Sequence, residues 1–225
     1  MTTLEHLIVA LSLAKKAKRK DIKGNPFVGA IVVDEKGAVI GTGYHKIWGD
    51  KHAEVYAIEE ALAHTPDLTK CSLYVTLEPC SHHGRTGPCC DALIDAGIAK
   101  VVASVQDPNP QVAGQGFAKL RAAGVQVEVG LQEENAREIN IGFFKRMQTG
   151  KPWLRMKIAA SLDGKTALNN GVSQWITGPA ARRDGHRWRA RACAVLSGIG
   201  TVQEDNPSLT VREVPAERQP LRVSV

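Results

Sequence analysis

The chain has 225 residues, a hydrophobic fraction of 43% and a formal net charge of +6, so it holds enough apolar material for one or two folded domains. Its five cysteines, an odd number, argue against a disulfide framework, and we expect a reducing, cytoplasmic compartment. No apolar run approaches the ~18 residues that a membrane span needs, and a signal peptide is not expected because the basic run Lys15 to Lys20 follows the first apolar stretch.

The positive charge is confined to the last third of the chain. Residues 1–149 contain 17 basic and 17 acidic residues, whereas residues 150–225 contain 12 basic and 6 acidic residues. A neutral first part in a chain with only 5% aromatic residues lacks the basic groove and stacking platform of a nucleic-acid binder. The basic second part suits a small ligand with several phosphates.

The first 147 residues predict an α/β domain. An amphipathic helix over 4–18 precedes two apolar runs, 28–33 and 38–43, that flank Asp34-Glu35-Lys36-Gly37, a hairpin signal. Strands and helices then alternate, which predicts a mixed sheet covered by helices. The expected helices are 53–63, 89–96, near 117–123 and near 133–147, and the expected strands are 73–77, 101–105 and 125–129.

A second domain is predicted after a short linker. We expect a first domain at 1–147, a linker at 148–152 and the incomplete start of a second α/β domain at 153–225. Its expected elements are a strand over 153–160, a basic helix over 179–191, a short strand over 194–196 and a strand that opens at 221. The small-residue loop 197–201 is a weak candidate for a phosphate cradle.

One histidine and two cysteines predict a zinc site. His52-Ala53-Glu54 is followed by Pro79-Cys80 and then by Pro88-Cys89-Cys90. A His/Cys/Cys set leaves the fourth tetrahedral position of Zn²⁺ open, and a water bound there has a pKa near ~7. Glu54, which is not a ligand, is placed to move protons, as in the zinc-dependent deaminases of ring amines. The alternation places Glu54 and both cysteines at helix N-termini, where the dipole favours a thiolate.

The spacing leaves two neighbouring cysteines as candidates for the third ligand. Cys90, Leu93, Ile94 and Gly97 fall on one apolar helical stripe, which predicts that Cys90 faces the core. Cys89 points about 100° away, so we choose Cys89 as the ligand. Cys71 and Cys193 are expected to be structural.

Eight residues, 81–88, separate the two ligand cysteines, which is more than the usual Pro-Cys-x-x-Cys pattern provides. This segment must loop out beside the metal, and its histidines, arginine and hydroxyls suit an anionic substrate tail such as phosphate. The alternative is a solvated polar loop without a binding role.

Several motifs together resemble one family. They are TLEPCSHHGRT (76–86), PCCDAL (88–93), NPFVG (25–29), QDPNP (106–110), SLDG (161–164), SQWIT (173–177) and DNPSLT (205–210). They resemble the bifunctional deaminase/reductases of riboflavin biosynthesis. The resemblance implies a cytidine-deaminase-like αβα sandwich with a mixed sheet, followed by part of a dihydrofolate-reductase-like α/β domain.

The resemblance also implies two successive reactions. The first is hydrolytic deamination, by zinc-activated hydroxide, of 2,5-diamino-6-ribosylamino-4(3H)-pyrimidinone 5′-phosphate. The second is NADPH-dependent reduction of the ribosyl group of 5-amino-6-(5-phosphoribosylamino)uracil. The implied site residues are Glu54 as the catalytic residue; His52, Cys80 and Cys89 as zinc ligands; Asn25, His45, His82, Arg85, Ser173, Arg189, Leu209 and Arg212 at substrates; and Ala159, Trp175, Thr201 and Asp205 at NADPH.

Two other functions remain to be weighed. A cytidine or tRNA deaminase would share the zinc motif, but the neutral first part and the long loop at 81–88 argue against it. A non-catalytic zinc-stabilised module would need four protein ligands and would leave Glu54 without a role. The expected partner is therefore a phosphorylated pyrimidine, not a nucleic acid or a membrane; self-association is left open.

Overall fold

The computed structural model describes residues 1–110 and 112–225. Contacts within the chain divide it into two compact units, Met1–Trp153 and Leu154–Val225. Among the described residues, no helix is both long and apolar enough to cross a bilayer.

The first unit contains a five-stranded mixed sheet, as the sequence predicts. In spatial order its strands are β2, β1, β3, β4 and β5. β1 pairs antiparallel with both β2 and β3, whereas β3, β4 and β5 are parallel. The strands are β1 (Gly29–Val33), β2 (Val39–Tyr44), β3 (Ser72–Val75), β4 (Lys100–Ala103) and β5 (Gln126–Val129).

Seven helices belong to the described part of this unit. They are α1 (Thr3–Ala14), α2 (Arg19–Ile22), α3 (Ala53–His64), α4 (Cys89–Asp95), α5 (Gln115–Ala122), α6 (Glu133–Ile139) and α7 (Ile141–Thr149).

The helices cover both faces of the sheet, because successive side chains of a strand point to opposite sides. On one face, alternate strand residues such as Val32 and Val75 join the main core with residues of α3, α4 and α5. On the other face, Ile31 and Tyr74 pack with Leu7 of α1. The result is the αβα sandwich expected for the first unit.

Asn140 divides a helix that the sequence predicts as continuous over 133–147. The Asn140 side chain accepts a hydrogen bond from the Phe27 N–H (2.7 Å) and donates one to the Phe27 carbonyl (2.8 Å). This long-range pairing accompanies the break between α6 and α7. The predicted first helix likewise ends earlier, at Ala14, and α2 follows it as a separate turn.

A close backbone contact seats α3 on β2. A Cβ atom on Gly43 would lie 2.0 Å from the carbonyl oxygen of Ala53, so only glycine permits this approach. Ala53 is the first residue of α3. The position of the α3 N-terminus is therefore set by a glycine on the edge strand.

The second unit contains α8 (Pro179–Arg191), β6 (Ala194–Ser197), α9 (Ile199–Asp205) and β7 (Leu221–Ser224), and β6 pairs in parallel with β7. Pro179 occupies the first turn of α8, where its missing N–H costs nothing.

Three expectations for the second unit are wrong. Residues 153–160 form no strand, because an apolar run becomes a strand only where a neighbour takes its backbone hydrogen bonds. The expected loop over 197–201 is instead the end of β6, a cap at Gly198 and the start of α9. Cys193 is exposed rather than packed, whereas Cys71 is buried in the first unit as expected.

Candidate metal centre

The structure brings His52, Cys80 and Cys89 together. His52 is the N-cap residue of α3 and Cys89 is the first residue of α4. Cys80 lies in the segment that leaves β3, so the expectation that both cysteines open helices is wrong for Cys80. Cys80 nevertheless interacts with the N-terminus of α4, because its Sγ accepts a hydrogen bond from the Cys89 backbone N–H (3.3 Å). The helix dipole at this end favours a negative charge on the sulfur.

The geometry of these three donors fits zinc. The His52 Nδ1 atom lies 3.2 Å from Cys89 Sγ and 3.6 Å from Cys80 Sγ, and all three ligand atoms lie within 4.8 Å of one another. Tetrahedral zinc with Zn–N of ~2.0 Å and Zn–S of ~2.3 Å separates such donors by roughly 3.5 Å. The zinc-binding triad predicted from the sequence is therefore present as a cluster of three donors within the described part of the chain.

Hydrogen bonds among the three donors shift the pKa of each one. A hydrogen bond from the Cys89 thiol lowers the pKa of Cys80 to about 4, and the hydrogen bond with Cys80 raises the pKa of His52 to about 9. The bond to Cys80, together with burial, raises the pKa of Cys89 well above its ordinary value. A metal ion has to displace these protons when it binds, as is general for thiolate and imidazole sites.

Glu54 lies beside the ligands in the first turn of α3 and is only 3% exposed. Burial raises the pKa of its carboxyl group to about 7, partly opposed by the charge of His52. A carboxyl group that titrates near neutrality can both accept and return a proton under working conditions. This is the property required of a general acid/base next to an activated water.

Cys90 lies in the core, as the helical stripe predicts. It is fully buried among the residues of the main core, and its thiol donates to the Pro79 carbonyl oxygen (3.3 Å). Burial raises the pKa of Cys90 to about 12, so this thiol stays protonated at neutral pH. Cys89 is equally buried, but its Sγ contacts the His52 ring, whereas the Cys90 thiol contacts the Pro79 carbonyl oxygen.

His45 presents a polar atom that lacks a partner within the described residues. The side chain is 4% exposed, and its ring centre lies 5.6 Å from that of His52. Its Nε2 atom has no hydrogen-bond partner in the described structure, and burial lowers the pKa of the imidazole. The His45 backbone N–H bonds to the Val28 carbonyl (3.0 Å), and Asn25, three residues before Val28, is half-buried.

Arg85 and His82 lie in the exposed loop between the ligand cysteines. The Arg85 guanidinium stacks on the Trp48 ring at 3.9 Å, and the Lys23 ammonium lies 4.7 Å from the same ring centre. Two cationic side chains, Arg85 and Lys23, therefore make cation–π contacts with the Trp48 ring. Sequence reasoning did not find Trp48 or Lys23, because no spacing relates them to Arg85.

In the second unit, the structure brings two of the predicted site residues together. Arg189 donates to the Thr210 carbonyl (2.7 Å), and Arg212 contacts Thr210 Oγ1 (3.4 Å) and Ser208 Oγ. Leu209 lies between those two partners, with a positive φ of 52°. Burial, and then the charge of Arg212, lowers the pKa of Arg189.

The remaining predicted residues of this unit lie apart from that pair in the chain. Trp175 is 71% exposed in this chain, and its ring stacks with the Arg182 guanidinium at 4.4 Å. Thr201 and Asp205 lie one turn apart on α9. Ser173 and Ala159 lie in segments without regular structure.

Comparison with known proteins covers both units. Residues 2–105 match the family described as the cytidine and deoxycytidylate deaminase zinc-binding region, and residues 152–225 match the RibD C-terminal domain.

Individual relatives agree with these matches. The chain is 53% identical over 203 residues to the riboflavin biosynthesis protein RibD of Escherichia coli K12, covering 90% of this chain and 54% of that protein. It is 49% identical over 218 residues to RibD of Aquifex aeolicus, covering 97% and 60%. The chain therefore spans little more than half the length of these curated relatives.

A solved structure shows the same fold. The diaminohydroxyphosphoribosylaminopyrimidine deaminase/5-amino-6-(5-phosphoribosylamino)uracil reductase of Thermotoga maritima superposes with a TM-score of 0.88 at 42% identity. The match covers 99% of this chain and 62% of that one.

Proposed function

Because this chain belongs to the RibD family, we propose that its first unit is a zinc-dependent deaminase of riboflavin biosynthesis. The proposed substrate is 2,5-diamino-6-ribosylamino-4(3H)-pyrimidinone 5′-phosphate, and the reaction replaces a ring amine by oxygen with release of ammonia. The observation that carries this proposal is the convergence of His52, Cys80 and Cys89 next to the buried Glu54 carboxyl group.

In this proposal the metal activates the water, and the protein ligands hold the metal. When bound, Zn²⁺ supplies Lewis-acid activation of the attacking water. His52 and the two cysteines hold the ion, and three protein ligands leave a position for the reaction, as in other catalytic zinc sites. A structural site, by contrast, is closed by a fourth protein ligand.

Glu54 carries the protons in this proposal. Its carboxylate takes a proton from the attacking water and passes it to the ring nitrogen. A second transfer to the amine lets the carbon–nitrogen bond break and ammonia leave. The raised pKa of about 7 supports both directions of transfer, since the ideal catalytic pKa lies near the working pH.

Four other side chains are proposed to hold the substrate. His45 is buried beside His52, where its free Nε2 suits a polar group of the ring or ribose, and Asn25 is proposed to bind the same part of the substrate. His82 and Arg85 lie in the exposed loop, where a cation suits the 5′-phosphate. The polar ring is thus bound near the metal and the charged tail near solvent.

A reductase step is proposed only for the whole protein, since this chain spans part of its relatives. Ser173, Arg189, Leu209 and Arg212 are proposed substrate residues. Ala159, Trp175, Thr201 and Asp205 are proposed NADPH residues. The pairing of Arg189 and Arg212 around Thr210 supports an anion-binding role, because guanidinium groups recognise phosphate well.

Ammonia release tests the deaminase proposal. The purified, zinc-loaded chain is incubated separately with the pyrimidine phosphate, with cytidine and with tRNA. We expect ammonia from the pyrimidine phosphate alone. Release from cytidine or tRNA would support the alternative deaminases, and release from none of the three would support a non-catalytic zinc module.

A further inference from the structure

Glu78 is a buried carboxylate with an unusual set of partners. It is only 4% exposed, and its backbone N–H bonds to the Val105 carbonyl (2.9 Å). It lies two residues before the zinc ligand Cys80 but does not belong to the metal cluster. A buried carboxylate is costly unless it is well hydrogen-bonded, so its partners indicate what it does.

Four backbone N–H groups satisfy this carboxylate. Oε2 accepts from Asp107 (3.1 Å) and Gly114 (3.0 Å), and Oε1 accepts from Gly116 (2.9 Å) and Phe117 (3.3 Å). The last two donors belong to the first turn of α5, which has no capping side chain of its own. Glu78 therefore acts as the missing N-cap of α5 from a distant point in the chain.

The same contact brings α5 against the Pro79–Cys80 segment. A Cβ atom on Gly116 would lie 2.0 Å from the Pro79 carbonyl oxygen, so the two backbones touch. The segment that Glu78 holds also carries Asp107, whose carboxyl group is half-buried and near Cys80 and His82. Burial raises the pKa of Asp107, and the charges of Glu78, His82 and Cys80 act on it as well.

We propose that Glu78 is a positioning residue of the deaminase: its carboxylate fixes residues 107–110 and 112–117 as one wall of the metal centre. This inference rests on the proposed function. The wall stands on the Cys80 side of the centre, whereas Glu54 and His52 are supplied by α3. Loss of Glu78 therefore loosens the wall that faces the substrate and leaves the proton-transferring residue in place.

Glu78→Gln tests this role. Its amide offers one acceptor oxygen and turns an NH₂ group toward N–H donors, so at least two of the four bonds are lost. We expect kcat/KM for deamination to fall by roughly 10- to 100-fold, the usual range for residues that support a metal site. The loss should appear mainly in KM, with zinc stoichiometry unchanged. Glu134→Gln, an exposed carboxylate of α6, is the matched control and should behave as wild type.

Hydrogen exchange provides a readout that does not depend on activity. In Glu78→Gln, the amides of residues 107, 109 and 112–117 should exchange faster, while those of α3 and α4 keep their wild-type rates. In Gly116→Ala, the added Cβ would lie 2.0 Å from the Pro79 carbonyl oxygen and 3.1 Å from Glu78 Oε1. This variant keeps the carboxyl group but displaces the same residues, so it should reproduce both effects.

Three outcomes would overturn the inference. They are unchanged exchange in residues 107, 109 and 112–117, unchanged KM in both variants, or faster exchange throughout α3 and α4 with loss of zinc. The last result would mean a general structural role. A wild-type chain without deaminase activity would refute the proposed function, and with it the catalytic part of this inference. The exchange experiment would still decide whether Glu78 holds the segment.

Discussion

Gly43→Ala tests whether a strand glycine positions α3, the helix that carries Glu54. The new Cβ would lie 2.0 Å from the Ala53 carbonyl oxygen, 2.8 Å from the Ala57 nitrogen and 2.9 Å from Tyr56 Cβ. Contacts under 3.0 Å are essentially never made by real Cβ atoms. Since two of the three obstacles are helix backbone, α3 has to move away from β2.

The size of the effect follows from that displacement. Overpacking of this kind costs ~1–3 kcal/mol, which exceeds the ~0.4–1 kcal/mol that alanine gains by restricting the unfolded chain. A shift of about 1 Å in a group that positions reactants can cost ~10²-fold in rate. His52 and Glu54 both move with the first turn of α3, so zinc affinity and kcat should fall together.

The assay combines urea unfolding, zinc titration and ammonia release. Gly142→Ala is the control, because Gly142 lies in α7 and an added Cβ there meets nothing within 4 Å. That variant should gain ~0.5–1 kcal/mol of stability and keep its activity. A Gly43→Ala protein with wild-type stability, zinc affinity and kcat would refute the view that this contact seats α3.

Four further predictions concern the metal centre and the exposed loop beside it. Cys89→Ser should lose zinc by elemental analysis while Cys90→Ser keeps it at some cost in stability, and the reverse result would exchange their roles. Glu54→Gln should retain zinc and fold but lose roughly 10²–10⁴-fold in deamination rate, since an amide cannot move protons; near-normal turnover with zinc bound would remove Glu54 from the mechanism. Arg85→Ala should raise KM for the phosphorylated substrate about tenfold, the low end of the ~1.5–3 kcal/mol of a charged hydrogen bond, because the loop is exposed. Trp48→Leu should give a smaller rise in KM, and equal use of dephosphorylated substrate by wild type and Arg85→Ala would exclude a phosphate contact.

Local patterns in the sequence were sufficient for much of the first unit. The alternation of apolar runs and turn signals predicted the mixed sheet, with most element ends within a few residues. The order of His52, Cys80 and Cys89 predicted the metal ligands, because zinc chemistry restricts which residue types can serve. The helical stripe through Cys90 distinguished the cysteine that packs in the main core from the one in the metal cluster, since 100° of rotation per residue follows from helix geometry alone.

Where local patterns failed, a long-range contact decided the structure. Residues 153–160 are mostly apolar but form no strand, because strand formation depends on a neighbour that a single segment does not specify. The break at Asn140 accompanies its two hydrogen bonds to Phe27, which is 113 residues away. In both cases the prediction from local sequence is wrong because the outcome depends on residues far away in the chain.

The sequence by itself determined the chemistry of the centre: which atoms bind the metal and which carboxyl group stands next to them. Only the tertiary structure decided how that chemistry is held and tuned. Burial raises the pKa of Glu54 to about 7. Gly43 allows α3 to pack closely against β2, and the Glu78 side chain caps α5 although Gly116 is 38 residues away in sequence. Burial and contact depend on what surrounds a residue in space, and residue type and spacing do not carry that information.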